Sequence, residues 1–218
     1  MSFFVGYKKK EMCESLSTGD LVLVSEHPEV PQHWLLALFN DMIRWVTRSP
    51  YTHVGMILRD PPFMDEGGVY VWESGWEGTP DPQDGRVKLG VQLTPWSTFV
   101  ENTRGALFVR KREKGSRPLS RQMLSTIHAQ VYGKPYDVHV SDWLAAAVRY
   151  DPQPQKTDRF WCSALVAYIL VQCGTLDPGV DWSMVRPGDL SSDSRVLHWN
   201  HGYGPDTPVA PRGASGQQ

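Results

Sequence analysis

The stretch Thr52-His53-Val54-Gly55-Met56-Ile57-Leu58-Arg59 is followed, after Pro61-Pro62 and Gly67-Gly68, by Val69-Tyr70-Val71-Trp72-Glu73-Ser74. Both runs are short, rich in β-branched and aromatic residues and bounded by turn formers, which predicts two strands joined as an antiparallel hairpin. With the register centred on the loop, Ile57 faces Val69, Gly55 faces Val71 and His53 falls opposite Glu73. Opposed side chains on one face have Cβ atoms about 4.5 to 5.5 Å apart, so Glu73 there accepts from an imidazole nitrogen and fixes the tautomer of His53. Gly55, on the same face as His53, removes a side chain and predicts the close approach of another element. Glu73 interrupts an otherwise apolar run, and a buried carboxylate needs a partner. A salt bridge to Arg59 or Arg110 would satisfy it as well as His53 would.

The approaching element is the segment from Cys162 to Cys173, apolar on nearly every side and stopped by Gly174. It reads as a buried helix capped by Thr157 or Asp158, with Cys162 in its first turn. Backbone N–H groups and the helix dipole at that position favour a thiolate, and a neighbouring His53 favours it further. A cysteine activated by a histidine that a carboxylate orients is the arrangement for acyl transfer, defined by geometry rather than chain order. The Cys162 backbone N–H would help to bind the oxyanion. The plain alternative is that Cys162 is an inert core thiol, as Cys13 and Cys173 are read to be. A pairing of Cys162 with His198 ranks last, because His198 stands close to a Pro- and Gly-rich end. Three cysteines cannot all pair, and Cys162 and Cys173 on one helix would lie roughly 16 Å apart, beyond the reach of a disulfide.

Outward from these elements, Gly19-Asp20 opens a strand over Leu21 to Val24, and Gln32 to Arg48 has helical spacing ended by Ser49-Pro50. The stretch from Gly75 to Gly90 is expected to be an irregular loop bordering a cleft. Val87 to Leu93 and Ala106 to Arg112 read as strands, Leu119 to Tyr132 as a helix closed by Gly133, and Asp142 to Tyr150 as another helix. Residues 1–15 are expected to form an extension, 16–202 one catalytic domain, and 203–218 a disordered tail. Trp72, Trp76, Trp96 and Trp161 are candidates to line an apolar groove, although most are expected in the core.

Composition sets the bounds on function. The chain of 218 residues is 40% hydrophobic and 21% charged, with a net charge of -2, so a globular core is expected and a nucleic-acid partner is not. The longest apolar stretch, Leu35 to Phe39, is too short to cross a bilayer, so any membrane contact would be peripheral. The N-terminus carries no secretory pattern, which points to a cytoplasmic location. No zinc spacing and no phosphate-binding glycine loop occur, so no metal and no cofactor are expected. Oligomeric state cannot be read from the chain.

These residues carry a resemblance. Thr18-Gly19-Asp20-Leu21-Val22-Leu23, then Ser49-Pro50-Tyr51-Thr52-His53-Val54-Gly55-Met56, Glu73, Gly133-Lys134-Pro135-Tyr136-Asp137, Phe160-Trp161-Cys162-Ser163-Ala164-Leu165-Val166 and Arg186-Pro187-Gly188-Asp189-Leu190 resemble, in that order, the permuted NlpC/P60 papain-like superfamily. The similarity is to its YiiX/YaeF-like cysteine amidase and peptidase group, which includes poxvirus relatives. The resemblance implies an α+β, circularly permuted papain-like fold, a small antiparallel sheet or barrel packed on a buried helix that bears the nucleophile. It implies Cys162 as nucleophile, His53 as base and Glu73 as orienting group, with Tyr136, Trp161 and Ser163 as oxyanion or substrate-lining residues. Trp161 and Ala164 depart from what relatives often carry there, which bears on substrate preference. The expected activity is a thiol hydrolase cleaving an amide or related acyl bond of a peptide, amide or acyl-lipid substrate through a thioester on Cys162. The alternatives are a lipid acyltransferase or thioesterase like lecithin:retinol acyltransferase, and an inactive binding module.

Overall fold

The computed structural model describes residues 12–26, 49–136 and 157–209. The helices expected over 32–48 and 142–150 lie outside the described residues, as does most of the 1–15 extension. Six strands, β1 (Leu21–Glu26), β2 (His53–Arg59), β3 (Val69–Gly75), β4 (Gly90–Pro95), β5 (Gly105–Arg112) and β6 (Tyr203–Val209), form one open sheet in the order β4-β3-β2-β1-β5-β6. Every neighbouring pair is antiparallel. Among the described residues, helices α1 (Trp96–Asn102), α2 (Arg121–Val131) and α3 (Cys162–Gln172) accompany the sheet in an α+β arrangement.

The sheet is buried on both faces at its centre, which is why β1 and β2 read as nearly continuous apolar runs instead of alternating ones. Leu21, Leu23, Val54, Met56, Leu58, Tyr70 and Trp72 point to the layer that contains α3. Val22, Val24, Ile57, Val71, Leu107 and Val109 point to the other layer, where Trp96 and Phe99 of α1 cover them. All residues of α3 from Cys162 to Leu170 are buried, as a helix apolar on every side requires.

Three sequence expectations need correction. The hairpin register is shifted by two: Ile57 lies opposite Val71 and Arg59 opposite Val69. The Asp60 N–H donates to the Gly68 carbonyl and the Asp60 carboxylate accepts from the Gly68 N–H, both at 2.8 Å, so this pair closes the loop and sets the ladder. The cap of α3 is Trp161, with no side-chain cap bond, rather than Thr157 or Asp158. Phe160 just before it is held in a bridge to Tyr136 and donates its N–H to the Pro135 carbonyl, so the helix cannot begin sooner. Finally, residues 203–209 of the expected tail are strand β6, paired to β5. The Tyr203 hydroxyl donates to the Gly19 carbonyl at 2.7 Å and the ring packs on Trp199. Arg110 Nε donates to the Gly204 carbonyl, and Asp206 accepts from the Tyr51 hydroxyl at 2.8 Å. Pro205 and Pro208 are tolerated because β6 is an edge strand.

β4 begins at Gly90, later than expected, and runs on to Pro95. Gly90 has φ +149°, and a Cβ there would collide with the Lys134 carbonyl oxygen and Pro135 Cα. Gly90→Ala is therefore expected to lower stability by about 2 to 3 kcal/mol, through backbone strain and overpacking together. Urea unfolding checks this, and an unchanged midpoint would show that the 134–136 segment yields freely. Among the described residues, no helix is long and apolar enough to cross a membrane.

Candidate active site

β2 starts at His53, and β3 carries Glu73 two positions before its end at Gly75. The observed ladder, carried on from Met56 opposite Trp72, sets Glu73 against Gly55 and Gly75 against His53. A slip of two preserves the face, so His53 Nε2 still donates to Glu73 Oε2, at 2.6 Å, along the diagonal. Gly75 makes room for the ring: a Cβ there would lie 3.3 Å from His53 Cε1. Gly55 does not admit another element, as the sequence led us to expect. A Cβ on it would collide with Val71, so its missing side chain is filled from within the sheet.

Glu73 is 0% exposed, and its second oxygen, Oε1, accepts from Thr94 Oγ1 at 2.5 Å. Short distances are expected where a carboxylate is the acceptor. The alternative salt bridges do not form. Arg59 gives its guanidinium to the carbonyls of Leu16 and Cys13, and Arg110 serves the carbonyls of Gly204 and Leu190 and faces Asp206 at 3.9 Å.

Cys162 is the first residue of α3 and is 4% exposed. The start of that helix is pinned from several sides. Ser163 Oγ and Trp161 Nε1 both donate to the Val185 carbonyl, at 2.7 and 3.4 Å, and Ser74 Oγ donates to the Phe160 carbonyl at 2.6 Å. Burial pushes the pKa of His53 down, but a hydrogen bond and charge from Cys162, joined by those of Glu73, raise it well above its ordinary value. The ring thus interacts with a thiol and a carboxylate at once. With Nε2 given to Glu73, Nδ1 is the nitrogen left for Cys162. The thiol belongs to the α3 layer, whereas His53 and Glu73 alternate onto the face of Ile57 and Val71. His53 is the first residue of its strand, so its ring stands at the end of the sheet, and the thiol acts on it there as the larger of the two raising influences on its pKa. Phe99 packs beside the ring with centroids 6.2 Å apart.

The remaining sequence candidates divide. Tyr136 is half-buried and bridges Phe160, two residues before the cysteine, with its N–H donating to the Leu89 carbonyl. Ser163 is buried and its hydroxyl is spent on Val185, so it fixes the helix start. Trp161 is half-buried beside Cys162. Trp72 and Trp96 are core residues, while Trp76, just past Gly75, is 59% exposed. The His198 backbone carbonyl accepts from the Asp177 N–H beyond the C-terminal end of α3, the end opposite Cys162, which removes His198 as a partner for that thiol. His128 is half-buried, stacks on Phe63 and is bonded to Gln83, and burial pushes its pKa down to about 4, so it is a neutral packing group. Thr94 was missed by sequence reasoning because the expected strand stopped at Leu93. Alternation of one further step would have put Thr94 on the face of Gln92 and Glu73.

No protein-family model matches the chain, and no curated protein matches it. Among the described residues, no group of three or more His, Cys, Asp or Glu side chains could hold a metal ion. Among solved structures, the crystal structure of the metalloprotein yiiX from Escherichia coli O157:H7 is similar, with 22% sequence identity and a TM-score of 0.46. The match covers 72% of this chain and 66% of that one, so this chain spans just under two thirds of that protein's length.

Proposed function

We propose that the protein is a cysteine hydrolase of permuted papain-like fold that cleaves an amide or related acyl bond of a peptide, amide or acyl-lipid substrate. The observation that carries this reading is the hydrogen bond between His53 and the buried Glu73, on a ring whose pKa is raised by Cys162 and Glu73 together. In the reaction, Cys162 Sγ, as the thiolate, attacks the carbonyl carbon and the carbonyl oxygen takes up the negative charge. Uncapped N–H groups of the first turn of α3 are suited to receive that oxyanion, because Trp161 supplies no side-chain cap. His53 gives its proton to the leaving group as the bond to the carbonyl carbon breaks, which leaves a thioester on Cys162. Water then attacks the thioester while His53 takes its proton, and the acid product departs from the regenerated thiolate. Glu73 keeps Nε2 engaged throughout, so Nδ1 is always the nitrogen presented to Sγ.

Thiol alkylation followed by mass spectrometry tests the reading. Cys162 is expected to react at neutral pH well ahead of Cys13 and Cys173. Burial pushes the Cys173 thiol up to about 11, so Cys173 serves as the slow internal standard. Cys162→Ser is expected to abolish labelling by an electrophilic acyl probe while circular dichroism stays that of the parent. A Cys162 no faster than Cys13 would overturn the proposal.

A further inference from the structure

We infer that Thr94 is a positioning residue of this site, holding the Glu73 carboxylate in the orientation that presents Oε2 to His53. The inference rests on the thiol-hydrolase reading above and adds a fourth member to Cys162, His53 and Glu73. The terminal torsion of a glutamate is soft, with a broad and roughly two-fold profile. One hydrogen bond at Oε2 leaves the carboxylate free to swing about that contact. A second, at Oε1, removes the freedom. Thr94 Oγ1 supplies it at 2.5 Å, from a residue 2% exposed to a carboxylate 0% exposed, so water is not at hand to take its place.

The ladder gives a second reason. Gln92, not Thr94, lies directly opposite Glu73, and it is the obvious donor to that carboxylate. Yet Gln92 Nε2 is buried and has no hydrogen-bond partner among the described residues, although its residue is only 1% exposed. Thr94 makes the bond from two residues farther along β4, on the same face. A hydroxyl there also suits the chemistry: a carboxylate can only accept, and a threonine can turn its single proton toward it. The groups that face Glu73 are therefore His53 from β2 and Gln92 and Thr94 from β4, with Phe99 of α1 apolar beside the ring. Among the described residues, no other charged side chain is bonded to it. Thr94 acts on the thiol only through Glu73 and His53.

The test compares Thr94→Val, which keeps the shape and removes the hydroxyl, with Thr94→Ser, which restores the hydroxyl. Thr94→Val is expected to slow alkylation of Cys162 at neutral pH by about tenfold, the rate equivalent of a lost hydrogen bond to a charged group. It is also expected to move the NMR titration of the His53 ring to lower pH. Thr94→Ser returns both toward the parent. A merely structural threonine would lower the melting temperature without moving the His53 titration. If Thr94→Val fails to fold, the parent protein answers alone: the Thr94 hydroxyl proton should exchange slowly with water and show a cross-peak to the Glu73 side chain. A parental titration and alkylation profile in Thr94→Val, or a fast-exchanging hydroxyl in the parent, overturns the inference. If instead His53→Ala leaves Cys162 alkylation unchanged in otherwise unsubstituted protein, it is the thiol-hydrolase reading that fails, whatever Thr94 does to His53.

Discussion

His53→Ala is expected to slow the alkylation of Cys162 at neutral pH by about a hundredfold, the lower range of what a positioned acid or base contributes, and to leave the sheet intact. The sheet survives because His53 is the first residue of β2, and the ladder from Met56 to Arg59 does not depend on its side chain. The rate falls because the cationic neighbour that favours the reactive thiolate is gone. The same substitution has a signature in stability. The folded pKa of His53 lies well above its ordinary value, the raising effects of Cys162 and Glu73 outweighing burial. A raised folded pKa means that the folded state holds the proton more tightly than the unfolded chain does. The stability it brings is fully present below the unfolded value of about 6.5 and is lost as pH rises through the folded one. The gap in unfolding free energy between parent and His53→Ala is thus expected to be widest at the acidic end of this window and to narrow toward alkaline pH. Cys162→Ala removes the larger of the two raising partners, so the His53 ring should titrate at lower pH in that variant. A gap that stays constant with pH, together with an unmoved His53 titration, would show that ring and thiol do not interact.

The pairing of His53 with Glu73 was legible in the sequence, and the reason is the period of a strand. The register read from the loop was displaced by two residues, but a displacement of two keeps every side chain on its face, whereas a slip of one would have sent Glu73 to the α3 layer. What the sequence did not reveal was the closing of the loop by Asp60 and Gly68. Asp60 stands in the left-handed region at φ +47°, which short polar side chains tolerate and periodicity does not announce. The buried helix and its cysteine were legible because an apolar run on every side has few other places to go. Its start was not, since the bridge between Phe160 and Tyr136 joins segments far apart in the chain. β6 was hidden for a similar reason. Its prolines and glycines are those of a tail, and only partners such as Gly19 and Tyr51, each more than a hundred residues away, make it a strand. Thr94 escaped because a strand end is the least certain feature of any sequence reading, and one more residue of β4 was enough to bring it to the site.

Replacing Glu73 separates charge from shape at the centre of this arrangement, and the two obvious variants should behave differently. Glu73→Ala leaves His53 Nε2 without its acceptor and the Thr94 hydroxyl without its own, at a position that is 0% exposed. Breaking a buried charged pair by deleting one partner costs about 3 to 5 kcal/mol, a large part of the stability of a domain this size. Glu73→Gln keeps the volume. Its amide oxygen can still accept from His53, and the Thr94 hydroxyl can turn to accept from the amide nitrogen. The cost should therefore fall to about 1 to 2 kcal/mol, near the net value of the bonds exchanged. The charge, however, is gone in both variants, so both should lower the pKa of His53 and slow Cys162 alkylation at neutral pH. Urea unfolding reads the first difference, and ring titration with alkylation reads the second. A Gln variant that folds like the parent but has lost the reactivity would assign Glu73 to the electrostatics of the histidine. Were Glu73→Gln to keep the full alkylation rate, the carboxylate would be a buried strut, and His53 alone would activate the thiol. An alanine variant as stable as the parent would mean that His53 and Thr94 find other partners, and that Glu73 is not what holds the ring in place.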